Sequence, residues 1–203
     1  MQKYIDLSVV TNENTPVYPG DPKFTIKPTG ILEKDGYEDH VVSFGTHNGT
    51  HIDAPRHMIK NGKSTNEFPL DKFAGNGTCI DIRKRIDFKV IKNAPIRQNN
   101  IVLFYTGMSD VYNSPEYYKN RPAITTEIAE YLVSKKIKMV GVDMCSPDHK
   151  PFPIHKILLS NDILIIENLT NLKKLIGKEF KVYAFPMKLQ IEASPARVIA
   201  EID

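Results

Sequence analysis

The sequence has few of the features that mark disulfide-rich, membrane-spanning or nucleic-acid-binding proteins. Its 203 residues include only two cysteines, Cys79 and Cys145, whose spacing indicates neither a disulfide framework nor a zinc knuckle. No apolar run approaches the roughly 20 residues that a membrane-spanning helix needs. The net charge is only +3, and the lysines are scattered along the chain, so we expect neither a membrane nor a nucleic-acid partner.

The composition and the N-terminal residues predict a cytoplasmic globular protein. Apolar residues make up 41% and charged residues 25% of the chain, which predicts one domain over residues 1–203. The first residues, Met1–Asp6, contain no signal-peptide core, and the cysteine usage suits a reducing compartment. Cys145 is interpreted as a small buried thiol, with a place in the functional site as the alternative.

Short β-like runs with a few helical segments predict a mixed α+β (α/β) fold. The apolar or alternating runs typical of strands cover residues 3–10, 39–44, 78–82, 101–105, 138–142, 163–166, 181–185 and 197–202. Helical patterns lie within residues 114–136 and over residues 153–160 and 170–176.

The stretch from Phe44 to His57 concentrates unusual chemistry. It holds three of the six histidines, His47, His51 and His57, together with Asp53. Its glycines and its proline disfavour a helix, and in an extended chain all four polar side chains would share one face. Because an extended chain would separate His47 from His51 by roughly 13 Å, the backbone must curl for both to bind one metal ion. We therefore predict a strand end running into a tight, glycine-dependent loop.

Two distal residues, His155 and Glu167, are candidate partners of this stretch. Glu167 directly follows the apolar run 163–166, and an ionised carboxylate beside a buried run must be paired or bound to a metal. The alternatives are a salt bridge from Glu167 to a lysine and a merely packed or exposed His155. The six residues exceed the four ligands of a structural zinc, which suits two bridged metals or one metal with additional catalytic groups.

Four further polar residues are assigned no direct role. His40 and His149 are interpreted as surface or supporting residues. Asp143 and Asp148 either orient ligands or cap turns.

The motif over residues 47–57, HNGTHIDAPRH, resembles the HxGTHxDxPxH signature of a cyclase family that includes bacterial kynurenine formamidases and isatin hydrolases. The likeness extends to residues 15–21 around Tyr18, to residues 141–148, to His155 and residues 167–169, and to residues 194–197. The resemblance implies a swivelling β/β/α cyclase-like fold that assembles as a homodimer or homotetramer.

The resemblance also implies a role for each site residue. His47, His51 and Asp53 would bind a first divalent metal, and Asp53 would reach a second metal that His155 ligates. Glu167 would contact both metals, which would be zinc or manganese, and His57 would transfer protons. Tyr18 would lie on the substrate side.

The activity implied is hydrolysis of a small aryl formamide such as N-formylkynurenine, a step of tryptophan catabolism. Tyr18 stands where kynurenine formamidases of the family often carry tryptophan, which this chain lacks, and Asn48 stands where threonine is frequent. A cyclic amide such as isatin is therefore the alternative substrate.

Three other classes of metal protein are alternatives to this family. His51 and Asp53 could begin the facial triad of an iron oxygenase, with Arg197 for a co-substrate, but that leaves His47, His57 and Glu167 without roles. A zincin is excluded because Asn48 stands where the HExxH motif needs glutamate. The remaining alternative is a non-catalytic metal-binding module.

Overall fold

The computed structural model describes residues 3–202, and within them it confirms the predicted mixed α+β class. Met1, Gln2 and Asp203, which the predicted domain includes, lie outside the described residues. The strands are β1 Tyr4–Asp6, β2 Thr25–Gly30, β3 Asp39–Ser43, β4 His51–Asp53, β5 Ala74–Asp81, β6 Ile101–Tyr105, β7 Met139–Val142, β8 Leu164–Glu167, β9 Phe180–Pro186 and β10 Ala193–Ile202. The helices are α1 Leu32–Asp35, α2 Phe88–Lys92, α3 Glu116–Lys119, α4 Thr126–Ser134 and α5 Pro153–Ser160.

The main sheet closes on itself through the long strand β10. Its strand order is β1-β10-β4-β8-β7-β6-β5-β9, and a further pairing of β9 with β10 completes the ring. Residues 193–195 of β10 pair with β4, whereas residues 196–202 pair with β9. Strands β5 to β8 run parallel, and β4 is antiparallel to both of its neighbours. The short strand β4 is thus held on both sides.

Alternate residues of the central strands enter two separate cores. In β6, Ile101, Leu103 and Tyr105 pack inside the ring, whereas Val102 and Phe104 pack against the helices. Burial on both faces explains why this run is apolar throughout, as expected for a parallel strand covered by helices. The outer core is completed by buried residues of α4 and α5: Ile128, Ala129, Leu132, Ile154, Leu158 and Leu159.

Several predicted elements differ from the observed ones. The strand predicted over residues 3–10 is only β1, because the Ser8 amide bonds the Asp6 side chain at 3.1 Å and the Val9 amide bonds Thr50 Oγ1 at 3.0 Å. The helix predicted over residues 170–176 is a 3₁₀ turn at Leu172–Leu175. The run 39–44 gives β3, which among the described strands pairs with β2 alone, in an exposed hairpin.

None of the described helices has the length and apolar character needed to cross a membrane.

Candidate metal centre and its cavity

Antiparallel pairing of β4 with β8 brings the two sequence clusters together. His51 lies directly opposite Glu167, and Asp53 lies opposite Ile165. His51 and Asp53 share one face of β4 because side chains alternate along a strand. The predicted glycine-dependent turn precedes the strand: Gly49 has φ of +66°, and an added Cβ there would lie 2.7 Å from Thr11 Oγ1. The loop therefore curls His47 back over β4.

The first set of donor atoms belongs to His47, His51, Asp53 and Glu167. His47 Nδ1 lies 3.2 Å from His51 Nε2 and 3.0 Å from Asp53 Oδ1. His51 Nε2 lies 3.3 Å from Asp53 Oδ1 and 3.4 Å from Glu167 Oε2. Ligands at 2.0–2.1 Å from a tetrahedral ion are separated by roughly 3.3 Å. The donor atoms thus have the spacing of ligands around one ion.

A second set uses the other oxygens of the same carboxylates. His155 Nε2 lies 3.3 Å from Glu167 Oε1 and 3.7 Å from Asp53 Oδ2. Asp53 and Glu167 therefore each direct one oxygen toward His51 and the other toward His155. Each carboxylate thus lies between the imidazole of His51 and that of His155.

Among the described residues, the buried carboxylates face imidazole nitrogens but no lysine or arginine. Asp53 is 0% exposed and Glu167 is 4% exposed. Among the described residues, neither Asp53 oxygen nor Glu167 Oε1 accepts a hydrogen bond, and neither side chain pairs with a lysine or arginine. The alternative of a Glu167–lysine salt bridge is thus wrong. Since a buried charge must be compensated, and imidazole with carboxylate suits divalent ions, the residues present fit a divalent cation.

Hydrogen bonds at the rear of two imidazoles direct their Nε2 atoms into the centre. His51 Nδ1 donates to the Gly49 carbonyl oxygen at 2.9 Å, and His155 Nδ1 donates to Asp148 Oδ1 at 2.7 Å. Asp148 also accepts the Ile154 amide at the start of α5, at 2.7 Å. Such partners commonly fix the tautomer of a metal-binding histidine.

The two buried aspartates at this end of the sheet have different roles. Asp148 both orients His155 and caps α5. Asp143 instead accepts hydrogen bonds from Thr106, Gly107 and Ser109, and so holds the loop after β6. Of the two roles considered for these aspartates, Asp148 has both, because it orients His155 and caps a turn, whereas Asp143 only caps a turn.

Without a cation, the carboxylates of the centre favour protonation of the neighbouring imidazoles. Burial alone would lower the pKa of His51, but Asp53 and Glu167 outweigh it and raise that pKa to about 10. Burial also opposes ionisation of His155, yet Asp148, Asp53 and Glu167 together raise its pKa to about 12. Burial would raise the pKa of Asp53, but the neighbouring His47 and His51 hold it well below its ordinary value. A bound cation would replace these protons.

His57 lies at the rim of the centre, at the end of the 3₁₀ turn Pro55–His57. Its ring centroid is 4.3 Å from that of His47 and 5.8 Å from that of His155. Burial lowers its pKa, and Asp53 offsets this only partly, so the neutral imidazole is favoured. Donor atoms of His57, His47 and Asp53 lie within 4.8 Å of one another. This distance admits either ligation or proton transfer.

A cavity of about 240 Å³ opens beside the centre and carries aromatic walls. Tyr18 lines it and packs edge to face against Tyr118 with ring centroids 6.0 Å apart. Phe152 and Cys145 also line it. Because burial raises the pKa of the Cys145 thiol to about 12, this cysteine is a protonated wall group at neutral pH and not a thiolate nucleophile.

Several residues at the site were not identified from the sequence. Glu192 Oε1 accepts the Thr46 hydroxyl at 2.7 Å and lies 3.7 Å from His47 Nε2. Asn168 and Tyr118 also line the cavity. No spacing signal marks Glu192; only the pairing of Ala193 with Asp53 reveals that β10 begins beside the centre.

Comparisons with known proteins identify relatives over most of the chain. The family model described as "Putative cyclase" matches residues 5–149. An uncharacterised protein of Methanocaldococcus jannaschii is 38% identical over 187 residues, covering 90% of this chain and 91% of that protein. A kynurenine formamidase of Bacillus cytotoxicus is 27% identical over 202 residues, covering 97% of this chain and 96% of the relative.

Two solved structures share the whole architecture. An isatin hydrolase bound to the product analogue thioisatinate has a TM-score of 0.87 and 25% identity, covering 98% of this chain and 92% of that one. A potential metal-dependent hydrolase with cyclase activity has a TM-score of 0.84 and 30% identity, covering 99% and 98%. These likenesses confirm the predicted cyclase-like fold. The family match extends over most of the chain and includes the whole loop and strand that carry His47, His51, Asp53 and His57, so the protein belongs to the putative cyclase family.

Proposed function

We propose that this protein is a metal-dependent hydrolase that cleaves the carbon–nitrogen bond of a small aryl formamide such as N-formylkynurenine. The observation that carries the proposal is a pair of buried carboxylates, Asp53 and Glu167, that face imidazole nitrogens beside an aromatic cavity and have no lysine or arginine partner among the described residues. A relative covering nearly the full chain is named a kynurenine formamidase, which supports the substrate class.

The proposed ligand roles follow the two donor sets. His47, His51 and Asp53 would hold one cation and His155 a second, and Asp53 and Glu167 would serve both. Zinc and manganese both suit these ligands. A divalent cation bound there would lower the pKa of bound water and polarise an amide carbonyl.

His57 is proposed as the group that moves protons. Its lowered pKa favours the neutral imidazole, which can accept a proton from the attacking water. After water adds to the formyl carbon, the same imidazole returns the proton to the aryl nitrogen as the carbon–nitrogen bond breaks. The products are then a free amine and formic acid, which releases its own proton to solvent to become formate, and His57 ends the cycle unprotonated.

The cavity walls support an aromatic substrate. Tyr18 and Tyr118 meet edge to face and present ring surfaces to the cavity, while Phe152 packs against the ring of His155 at 5.7 Å between centroids. Aromatic walls favour a flat ring in edge or offset contact. A cyclic amide of the isatin type is the second candidate, favoured by the structural likeness to an isatin hydrolase and by Tyr18 at the substrate side.

The experiment is a hydrolysis screen with purified protein loaded separately with zinc and with manganese. Aryl formamides, alkyl formamides and cyclic amides are compared at equal concentration, with release of amine or ring-opened acid as the readout. We expect about two metal ions per chain and turnover that is fastest for an aryl formamide. Faster opening of the cyclic amide would favour the second candidate.

The same measurements separate the other classes. A single iron with oxygen consumption would indicate the facial-triad oxygenase, and tight metal binding without hydrolysis of any amide would indicate a binding module. We further propose that the enzyme works in the cytoplasm as a homodimer or homotetramer, which light scattering of the purified protein and fractionation of its cells would test.

A further inference from the structure

A continuous path of hydrogen bonds leads from a buried tyrosine to the imidazole of His51. Tyr117 is 0% exposed, and its hydroxyl donates to Asn168 Oδ1 at 2.7 Å. Asn168 Nδ2 donates to the Gly49 carbonyl oxygen at 2.8 Å. The same carbonyl accepts His51 Nδ1 at 2.9 Å. One carbonyl oxygen thus holds both the asparagine amide and the rear of the histidine ring.

The chemistry of the path settles the direction of each bond. The Gly49 carbonyl can only accept, so both Asn168 Nδ2 and His51 Nδ1 are donors to it. Asn168 Oδ1 can only accept, so the Tyr117 hydroxyl is the donor at the far end. With its hydrogen on Nδ1, the neutral His51 ring directs its Nε2 lone pair toward Asp53 and Glu167.

Asn168 is itself tightly fixed. Its backbone has φ of +56°, a left-handed conformation that asparagine tolerates better than most residues. The backbone amide of Asn168 donates to the Met144 carbonyl at 3.0 Å, and its backbone carbonyl accepts the Thr50 hydroxyl at 2.7 Å. Gly49 also has a left-handed backbone, in the turn before β4, but it has no side chain to fix its carbonyl. The rigid asparagine therefore sets the direction of the glycine carbonyl.

The other end of the path reaches the cavity wall. The Tyr117 ring packs edge to face against Tyr118 at 5.2 Å, and Tyr118 lines the cavity. Tyr117 is not among the residues that line the cavity, and its hydroxyl bonds Asn168, so we assign it a role through Asn168.

We propose that Tyr117 and Asn168 are positioning residues that hold the Gly49 carbonyl and so keep His51 in the tautomer and orientation that bind a cation. This inference rests on the proposed function, because it assumes a cation between His51, Asp53 and Glu167. Loss of such supporting partners typically costs 10–100-fold in metal affinity or activity. We expect a loss in that range.

The test compares two identical substitutions in one aromatic cluster. Tyr117→Phe removes the hydroxyl that bonds Asn168. Tyr112→Phe removes a buried hydroxyl that has no partner among the described residues, on a ring packed 5.1 Å from that of Tyr117. Dissociation constants for zinc and manganese are measured by chelator competition, together with thermal unfolding of the metal-free proteins. We expect metal affinity to fall roughly tenfold or more in Tyr117→Phe and to stay at the wild-type value in Tyr112→Phe.

Asn168→Asp provides a second variant if Tyr117→Phe does not fold. It keeps the size of the side chain but removes the Nδ2 donor to Gly49, and we expect at least as large a loss of metal affinity. Equal affinities in wild type, Tyr112→Phe and whichever of the other two variants fold would overturn the inference while leaving the proposed function standing. Equal losses in Tyr112→Phe and Tyr117→Phe would also overturn it, since packing would explain them. A wild-type protein that binds no stoichiometric metal would instead overturn the proposed function.

Discussion

Replacing Asp148 by asparagine should weaken metal binding without altering any proposed ligand. Asp148 Oδ1 accepts His155 Nδ1 at 2.7 Å, and its other oxygen accepts the backbone amide of Ile154 at 2.7 Å. Asparagine has one carbonyl oxygen and one NH₂ group. In one orientation its NH₂ group faces the Ile154 amide, which is also a donor. In the other it faces His155 Nδ1, which can accept only if His155 moves its hydrogen to Nε2.

The size of the effect follows from these contacts. A hydrogen bond to a charged group contributes about 1.5–3 kcal/mol, which corresponds to about 10- to 100-fold in an equilibrium constant. If His155 shifts its hydrogen to Nε2, that atom can no longer ligate, and the loss appears in metal affinity. If the tautomer is retained, the loss appears in the cap of α5 and hence in stability. We expect both, with metal affinity reduced roughly tenfold or more.

Asp143→Asn is the matched control. Asp143 is also fully buried at the end of this sheet, but it bonds Thr106, Gly107 and Ser109 and no proposed ligand. Chelator competition and thermal unfolding should show reduced stability in both variants and reduced metal affinity only in Asp148→Asn. An unchanged metal dissociation constant in folded Asp148→Asn would refute the role assigned to this carboxylate.

Three further outcomes are expected. His57→Ala should retain most of the metal but lose roughly 10²–10⁴-fold in turnover. The control His40→Ala, at an exposed histidine, should match wild type in both measurements. If metal analysis showed an emptied site in His57→Ala, His57 would be a ligand. Asp53→Ala should lose bound metal, and full metal content with full activity would exclude the bridging role. Because the pKa values of His51 and His155 are raised to about 10 and about 12 in the metal-free protein, both are protonated at neutral pH. Metal binding should therefore release protons and tighten as pH rises from neutral toward 10, and calorimetry in buffers of different ionisation enthalpy would contradict this if it found no release.

The strands that could be predicted from the sequence are those buried on both faces. The apolar runs that became β6, β7 and β8 are recognisable because parallel strands covered on both sides are apolar throughout. The hairpin strand β3 has an equally plausible pattern, yet all five of its residues are exposed. Local pattern does not say which sheet a strand joins, because that depends on pairings between residues far apart in the chain.

The same limit applies to the site. His47, His51, Asp53 and His57 are recognisable because they lie close together in the sequence and their residue types suit a metal. Glu192 and Asn168 are not, because nothing local distinguishes a glutamate before β10 or an asparagine after β8 from ordinary polar residues. Their roles arise only when β4 is placed between those two strands.

The register of β4 is the point at which the fold determines the chemistry. Ile52 is 0% exposed and packs in the core inside the ring, while His51 and Asp53 point to the opposite face. A slip of one residue would exchange these faces, burying two polar side chains in the core and removing the partners of Glu167. The burial of Ile52 thus disfavours the slipped register, in which His51 and Asp53 would leave the centre. Because β4 pairs with both β8 and β10, a strand of only three residues is sufficient to hold these two side chains in place.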